Sequence, residues 1–204
     1  MTNANTIKKR VLILASASKR RQKILRELNF KFKILTSNVN EESLINNFKS
    51  FTPKQLVKIL AFSKALSVCL EQSKKLKKDE IIAGFDTIVV CKNKIISKPK
   101  NKYDALKKLL FISNKKHNVL TGICLIDLKK EKIITDYEST DVYMKKIENT
   151  EALAYIRTKE PMDKAGAYAI QGKGERFVKR ISGSYSNVVG LPINKFLLML
   201  GSLQ

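Results

Sequence analysis

The segment Ser16-Ala17-Ser18-Lys19-Arg20-Arg21 joins a short apolar run to the start of a helical pattern, and its residue types suit an anion. A helix N-terminus presents free N–H groups and partial positive charge, and two hydroxyls precede this one. Two arginines sit in the first turn, where cations oppose the helix dipole, so their placement needs a cause. A bound phosphate supplies one, because arginine offers a rigid bidentate fork. The alternative is a Ser18 that only caps, with both arginines facing water. Lys64 is out of place in a second way. It lies i+4 from Leu60 and i+7 from Val57, on the stripe that also holds Ala61, Ala65 and Val68. It either snorkels or meets an anion where the small Ala61, Ala65 and Ser67 let the helix approach a neighbour. Asp86 interrupts Ile81–Val90, a run apolar on both faces except for Asp86 and Thr87. A mid-strand carboxylate in such a run calls for a cation, a metal or several donors.

Three further places carry weaker signals. Glu41, on a polar segment, is either a loop acid or a partner of Asp86 at a shared Mg²⁺, since hard cations bound to phosphates take one or two carboxylates. In Ser97-Lys98-Pro99 the proline ends a strand and holds Lys98 extended at its end. The stretch Asp163-Lys164-Ala165-Gly166-Ala167-Tyr168-Ala169-Ile170-Gln171-Gly172 combines backbone freedom, an aromatic ring and an amide able to read a base edge. Gly183–Pro192 is similar. Both are equally readable as turns.

The elements that must position these residues alternate. Val11–Ala15 and Phe32–Leu35 read as short strands around a helix from Lys19 to about Leu28. Thr52-Pro53 caps a helix reaching about Leu70. Glu80–Cys91 and Lys94–Ser97 read as strands around Lys92-Asn93, followed by a helix over residues 101–112. Val119–Asp127 and Lys132–Lys145 form a hairpin across Lys129-Lys130, and Thr150–Thr158 is a short helix. The remaining strand and helix are Phe177–Ile181 and Pro192–Leu200. Interleaved helices and strands predict an α/β chain with a mixed sheet.

The 204 residues suffice for one domain or two lobes, with residues 1–10 expected to be a flexible extension. Hydrophobic residues at 44% and charged residues at 28% give a globular balance. No run approaches the ~20 apolar residues of a membrane span, and no signal-peptide core is present, so a cytoplasmic location and no membrane partner are expected. Cys69, Cys91 and Cys124 form no C-x-x-C pair and read as small buried hydrophobes in a reducing compartment. The lone His117 argues against zinc clusters, and no P-loop is present. A net charge of +22, spread along the chain in lysine pairs without interleaved aromatics, reads either as a solvated surface or as a polyanion-binding one.

Taken in order, eight segments resemble the Maf family of nucleoside triphosphate pyrophosphatases. They are Leu14–Arg21, Val39-Asn40-Glu41, Ser63-Lys64-Ala65, Gly84–Val89, Ser97-Lys98-Pro99, His117–Gly122, Asp163–Gly172 and Tyr185–Pro192. The resemblance runs from about Leu12 to Leu198. It implies an elongated mixed sheet flanked by helices and two lobes around a deep cleft, similar to the inosine triphosphate pyrophosphatases. It also implies cleavage between the α- and β-phosphates, with Mg²⁺ or Mn²⁺, in the housecleaning of nucleotide pools. Carried over by position, Ser16, Arg20, Arg21, Lys64 and Lys98 hold phosphates, Glu41 and Asp86 serve the metal, and Asp86 is the base. Gln171 and its loop, Asp163 and Lys164 included, read the base of the nucleotide, in the form seen in the dTTP/UTP branch. A homodimer is a further expectation of the family. The chain departs from the pattern at Lys19, Asn40, Phe85 and Asn114, and Phe85 is expected to narrow the pocket. Two rival functions stand beside this one: a basic nucleic-acid-binding module, and a septum-formation regulator acting through partners.

Overall fold

A computed structural model describes residues 10–203. The expected flexible extension therefore lies outside the described residues except for Arg10, and Arg10 is anchored. Its Nη1 and Nη2 each donate to one oxygen of the Asp127 carboxylate at 2.7 Å. That carboxylate also accepts from the backbone N–H groups of Lys129 and Lys130, which closes the Lys129-Lys130 turn expected from the sequence.

The strands are β1 (Leu12–Leu14), β2 (Phe32–Ile34), β3 (Ile81–Cys91), β4 (Lys94–Ile95), β5 (Lys116–Asp127), β6 (Lys132–Met144) and β7 (Val178–Ser182). The helices are α1 (Lys19–Glu27), α2 (Glu41–Asn47), α3 (Pro53–Glu71), α4 (Lys102–Ile112), α5 (Asn149–Arg157), α6 (Tyr185–Val189) and α7 (Ile193–Gly201). One seven-stranded sheet has the order β2-β1-β3-β5-β6-β7, with β4 paired to β3. It is mixed: β1 runs parallel to β2 and β3, while β3–β4 and β6–β7 are antiparallel. The α/β class read from the sequence holds.

The chain divides into two compact units. Within the described residues the first comprises 10–86, 121–138 and 190–203. The second comprises 87–120 and 139–189.

In the first unit, β1, β3, β5 and α3 share a core of Ile13, Ala15, Ala61, Ala65, Val68, Ile82, Cys124 and Ile126. Its small residues are structural. A Cβ on Gly84 of β3 would lie 2.3 Å from the Ala61 carbonyl oxygen, and one on Gly122 of β5 would lie 2.1 Å from that of Val57. Two glycines thus let the α3 backbone rest on the sheet with no side chain between. Helix α3 starts where the sequence says it should. Thr52 and Gln55 form a capping box, and Pro53 occupies the first turn.

In the second unit α4 packs on α5, with Ala105, Leu109, Ile112, Ala152, Tyr155 and Ile156 buried. The Asp163–Gly172 stretch, readable from sequence as turns, lies among 3₁₀ turns at Glu160–Asp163, Ala165–Ala167 and Lys173–Phe177. The Gly183–Pro192 stretch contains the short helix α6.

Candidate functional site

The first unit gathers six of the residues singled out by type and spacing. The turn after β1 enters α1 through Ser18, an extended N-cap whose hydroxyl accepts from the Arg21 N–H. No acid sits in the first turn of α1. Arg21 does not face water, as one reading of the turn had it. It is buried, and its Nε donates to the Gly190 carbonyl at 2.8 Å while its Nη1 donates to Ser16 Oγ at 2.9 Å. Ser16 is buried too, and its hydroxyl also accepts from the Ser18 N–H. Arg20, one residue earlier, is half-buried.

Burial pushes the Arg21 guanidinium down to about 10, against the opposing pull of Asp86, with Arg20 lowering it further and Glu41 raising it. It therefore remains a cation throughout the neutral range. The Arg21 guanidinium lies 5.8 Å from the centre of the Phe85 ring. Phe85 in turn packs edge-on against Phe196, their centroids 5.4 Å apart. Side chains alternate across a strand, so Phe85 and Asp86 point to opposite faces. Fully buried, Phe85 supports Arg21 and does not narrow an open pocket, contrary to the sequence expectation.

Lys64, on the buried stripe of α3, does not snorkel but meets anions, the second of the two readings its position allowed. Its Nζ donates to Glu41 Oε1 at 2.6 Å and to Asp86 Oδ1. Lys64 and Asp86 are both nearly closed to solvent, and the Glu41 side chain is partly open. The packing at Gly84 explains the meeting. Gly84 lies two residues before Asp86 on the same face of β3, and the α3 turn seated on it carries Ala61 and Ala65 on either side of Lys64.

Glu41 is not a loop acid. It opens α2, whose N-cap is Asn40 with Oδ1 accepting from the Ser43 N–H at 3.0 Å. A carboxylate at that position is favoured by the helix dipole. The departure at Asn40 thus preserves a cap.

Glu41 and Asp86 converge on one cationic group, the Lys64 ammonium. Among the described residues no cluster of three or more His, Cys, Asp or Glu side chains could enclose a metal by protein ligands alone. Lys64 occupies the point where these two oxygens meet, but two carboxylates side by side are of the type and number that a hard divalent cation takes when phosphate oxygens and water fill its remaining positions. The donor set therefore fits the expected metal.

The second unit carries Lys98, Asp163, Lys164 and Gln171. The exposed Lys98 follows β4, and its carbonyl accepts from Lys108 Nζ at 2.9 Å. Lys164 pairs with Asp163. Gln171 is exposed, between the buried Ile170 and Gly172, whose φ of +136° is left-handed. The loop is tied to the segment before Lys98 by the Gly166 N–H, which donates to the Ile96 carbonyl at 2.9 Å.

The lone His117 is buried in the second unit. Its Nε2 lies 2.8 Å from the Tyr168 hydroxyl, and burial lowers its pKa to about 4. Sequence reasoning missed the Gly190 carbonyl and Phe196 as the supports of Arg21. The 169 residues between Arg21 and Gly190 leave no local signal. Gly84, a glycine inside an apolar strand, was a readable one.

The model of the family described as Maf-like protein matches residues 11–203. The chain is 50% identical over 184 residues to a dTTP/UTP pyrophosphatase of Alkaliphilus metalliredigens, covering 90% of this chain and 91% of the relative. It is 43% identical over 189 residues to a dTTP/UTP pyrophosphatase of Thermoanaerobacter sp., covering 93% and 94%. A solved structure, the Staphylococcus aureus Ham1 protein, matches 96% of this chain and all of its own at 12% identity with a TM-score of 0.47.

Proposed function

Given that the chain belongs to the Maf family, we propose that it hydrolyses dTTP and UTP to the monophosphate and pyrophosphate. The observation that carries this reading is the Lys64 ammonium held between Glu41 and Asp86 in the unit that also buries Arg21 against Ser16. Such a site concentrates fixed positive charge beside two carboxylates. A triphosphate needs both, cations for its ~4 negative charges and a carboxylate to take a proton from water. Opposite charges ~4 Å apart near a protein surface interact by about 4 kcal/mol, so a few lysines and arginines are proportionate.

In the proposed reaction Arg20, the Ser16–Arg21 pair and Lys98 are assigned to the polyphosphate. Lys64 has three N–H donors; two go to Glu41 and Asp86, and the third is assigned to a phosphate oxygen. The Asp86 carboxylate accepts a proton as water attacks the α-phosphorus in line. The bond from that phosphorus to the bridging oxygen breaks, and pyrophosphate leaves with the electron pair. Glu41 and Asp86 would hold Mg²⁺ or Mn²⁺, which when bound supplies charge neutralisation at the phosphates. Gln171, Asp163 and Lys164 are assigned to the nucleotide end of the substrate. The activity places the protein in nucleotide-pool housecleaning.

The deciding experiment incubates the protein with a panel of canonical and modified triphosphates and either metal, then identifies the products. Pyrophosphate from dTTP and UTP, lost by a factor of about 10³ or more in Asp86→Asn, is expected. Orthophosphate release, or no turnover, would sink the proposal.

A further inference from the structure

The exposed Gln171 rides on a turn whose backbone is held from beneath by one carboxylate. Glu160 Oε1 accepts from the Tyr155 hydroxyl at 2.9 Å and from the Gly174 N–H at 3.1 Å, and its Oε2 accepts from the Lys173 N–H at 3.1 Å. The Tyr155 hydroxyl passes the connection onward, accepting from the Ala169 N–H at 3.0 Å. Three backbone amides, one before Gln171 and two after it, thus converge on a single Glu–Tyr pair. A Cβ at Gly172 would lie 2.8 Å from Glu160 Oε2, so the carboxylate sits directly under the turn. Tyr155 is itself fixed, buried on α5 with its ring edge-on to Phe177. On the N-terminal side, Gly166 and Ala167 both have left-handed φ, of +76° and +58°, and Ala167 is fully buried. A non-glycine residue there is strained and persists only where its surroundings dictate it. The loop is therefore built rigid rather than left to adapt.

We infer that Glu160 is a positioning residue, which through Tyr155 and the amides of Ala169, Lys173 and Gly174 fixes the turn that presents Gln171 to the nucleotide base. The inference rests on the proposed pyrophosphatase activity for its substrate and on the hydrogen-bond network for its mechanism. Glutamine in place of Glu160 keeps the shape, but its NH₂ must face either the Lys173 N–H or the Gly174 N–H and the Tyr155 hydroxyl. One donor then meets another, and the turn loosens. Burial opposes ionisation of Glu160, and the donors from Lys173, Tyr155 and Gly174, with the Lys164 charge, outweigh it and hold the pKa low. The negative form, which accepts all three bonds, is the one present at neutral pH.

The test compares wild type with Glu160→Gln and Tyr155→Phe in two measurements. Hydrogen exchange of the free protein is expected to speed up at Ala169, Lys173 and Gly174 in Glu160→Gln, and at Ala169 in Tyr155→Phe. Exchange at those amides unchanged from wild type would overturn the clamp, whatever the enzyme acts on. In steady-state assays with dTTP, UTP and purine triphosphates, KM for the pyrimidines is expected to rise about tenfold in Glu160→Gln while kcat stays within about twofold. Discrimination against purines is expected to fall by a similar factor. A loss of kcat with discrimination intact would overturn the positioning role and leave Glu160 a stabilising residue. No turnover of any nucleotide by wild type would instead remove the proposed activity, and with it the assignment of the turn to a base.

Discussion

Lys64 is the residue on which the first unit's charges meet, and removing it should show both of its functions. Lys64→Met leaves Glu41 and Asp86 facing one another with no cation between them. Loss of one partner from a buried ion pair costs about 3 kcal/mol, here moderated by the partial exposure of Glu41. Urea denaturation should detect that loss, and pyrophosphate release should fall with it. Lys64→Arg should not restore activity, because a planar guanidinium cannot direct its donors to two carboxylates as an ammonium does. If Lys64→Met is as stable as wild type, the pair is not doing what its geometry implies. At this scale the sequence was informative where a charge broke an apolar pattern. Lys64 and Asp86 each stood out alone, and the structure puts them in contact. Arg21 was undecided because its acceptors Gly190 and Ser16 come to it only on folding: Gly190 is remote, and Ser16 is reached by the turn closing back on itself.

At the scale of elements, the seating of α3 on β3 and β5 is what brings Lys64 to Asp86. Gly84→Ala tests it. The added methyl would collide with the Ala61 carbonyl, which is backbone and cannot rotate away. The expected cost is about 1–3 kcal/mol of unfolding free energy, with a loss of activity larger than the residual stability explains. Full activity in Gly84→Ala would mean that the helix can shift without moving Lys64. Long elements were legible. Helix α3 announced itself through Thr52-Pro53 and its stripe, and β3 through its continuous apolar run. Helix α2 was not, because none of its seven residues is buried and periodicity has nothing to report. Its start was written only in Asn40, which looks like any polar loop residue. Helix α6, five residues of Tyr-Ser-Asn-Val-Val, was hidden by a turn-like composition. Strand β5 begins at Lys116, earlier than expected, because its first residues are polar.

For the whole molecule, two buried groups make stability fall with acid, in successive pH windows. The folded pKa of His117, about 4, lies below its ordinary 6.5, so the unfolded chain takes up the proton first as pH falls. The Arg10 guanidinium beside Asp127 holds that carboxyl below its usual range, so its contribution is lost only in stronger acid, below the window of His117. Stability should therefore be full above pH 6.5 and decline toward pH 4, with His117 accounting for about 3 kcal/mol at most. His117→Asn should flatten the decline between pH 6.5 and 4.5, measured as the difference in urea midpoints. An undiminished slope would assign the effect elsewhere. The charge of +22 makes a different prediction. The lysine pairs noted in the sequence lie mainly on the exposed surface of both units, so any DNA or RNA binding should be weak, indifferent to sequence and largely gone at 200 mM salt. Tight binding that survives Asp86→Asn would favour the nucleic-acid reading instead. Among the described residues no helix is long and apolar enough to cross a membrane.

The contact between Arg21 and the Gly190 carbonyl has a consequence for synthesis. The chain emerges from the ribosome N-terminus first, so the Ser16–Arg21 turn appears early. The acceptor for its buried guanidinium, and Phe196 behind Phe85, arrive only with residues 190–203. Until then the guanidinium has Ser16 within reach but lacks the Gly190 carbonyl. A chain cut before Gly190 is therefore expected to leave this turn incompletely buried, which limited proteolysis of the truncated protein would reveal as early cleavage near Arg20-Arg21.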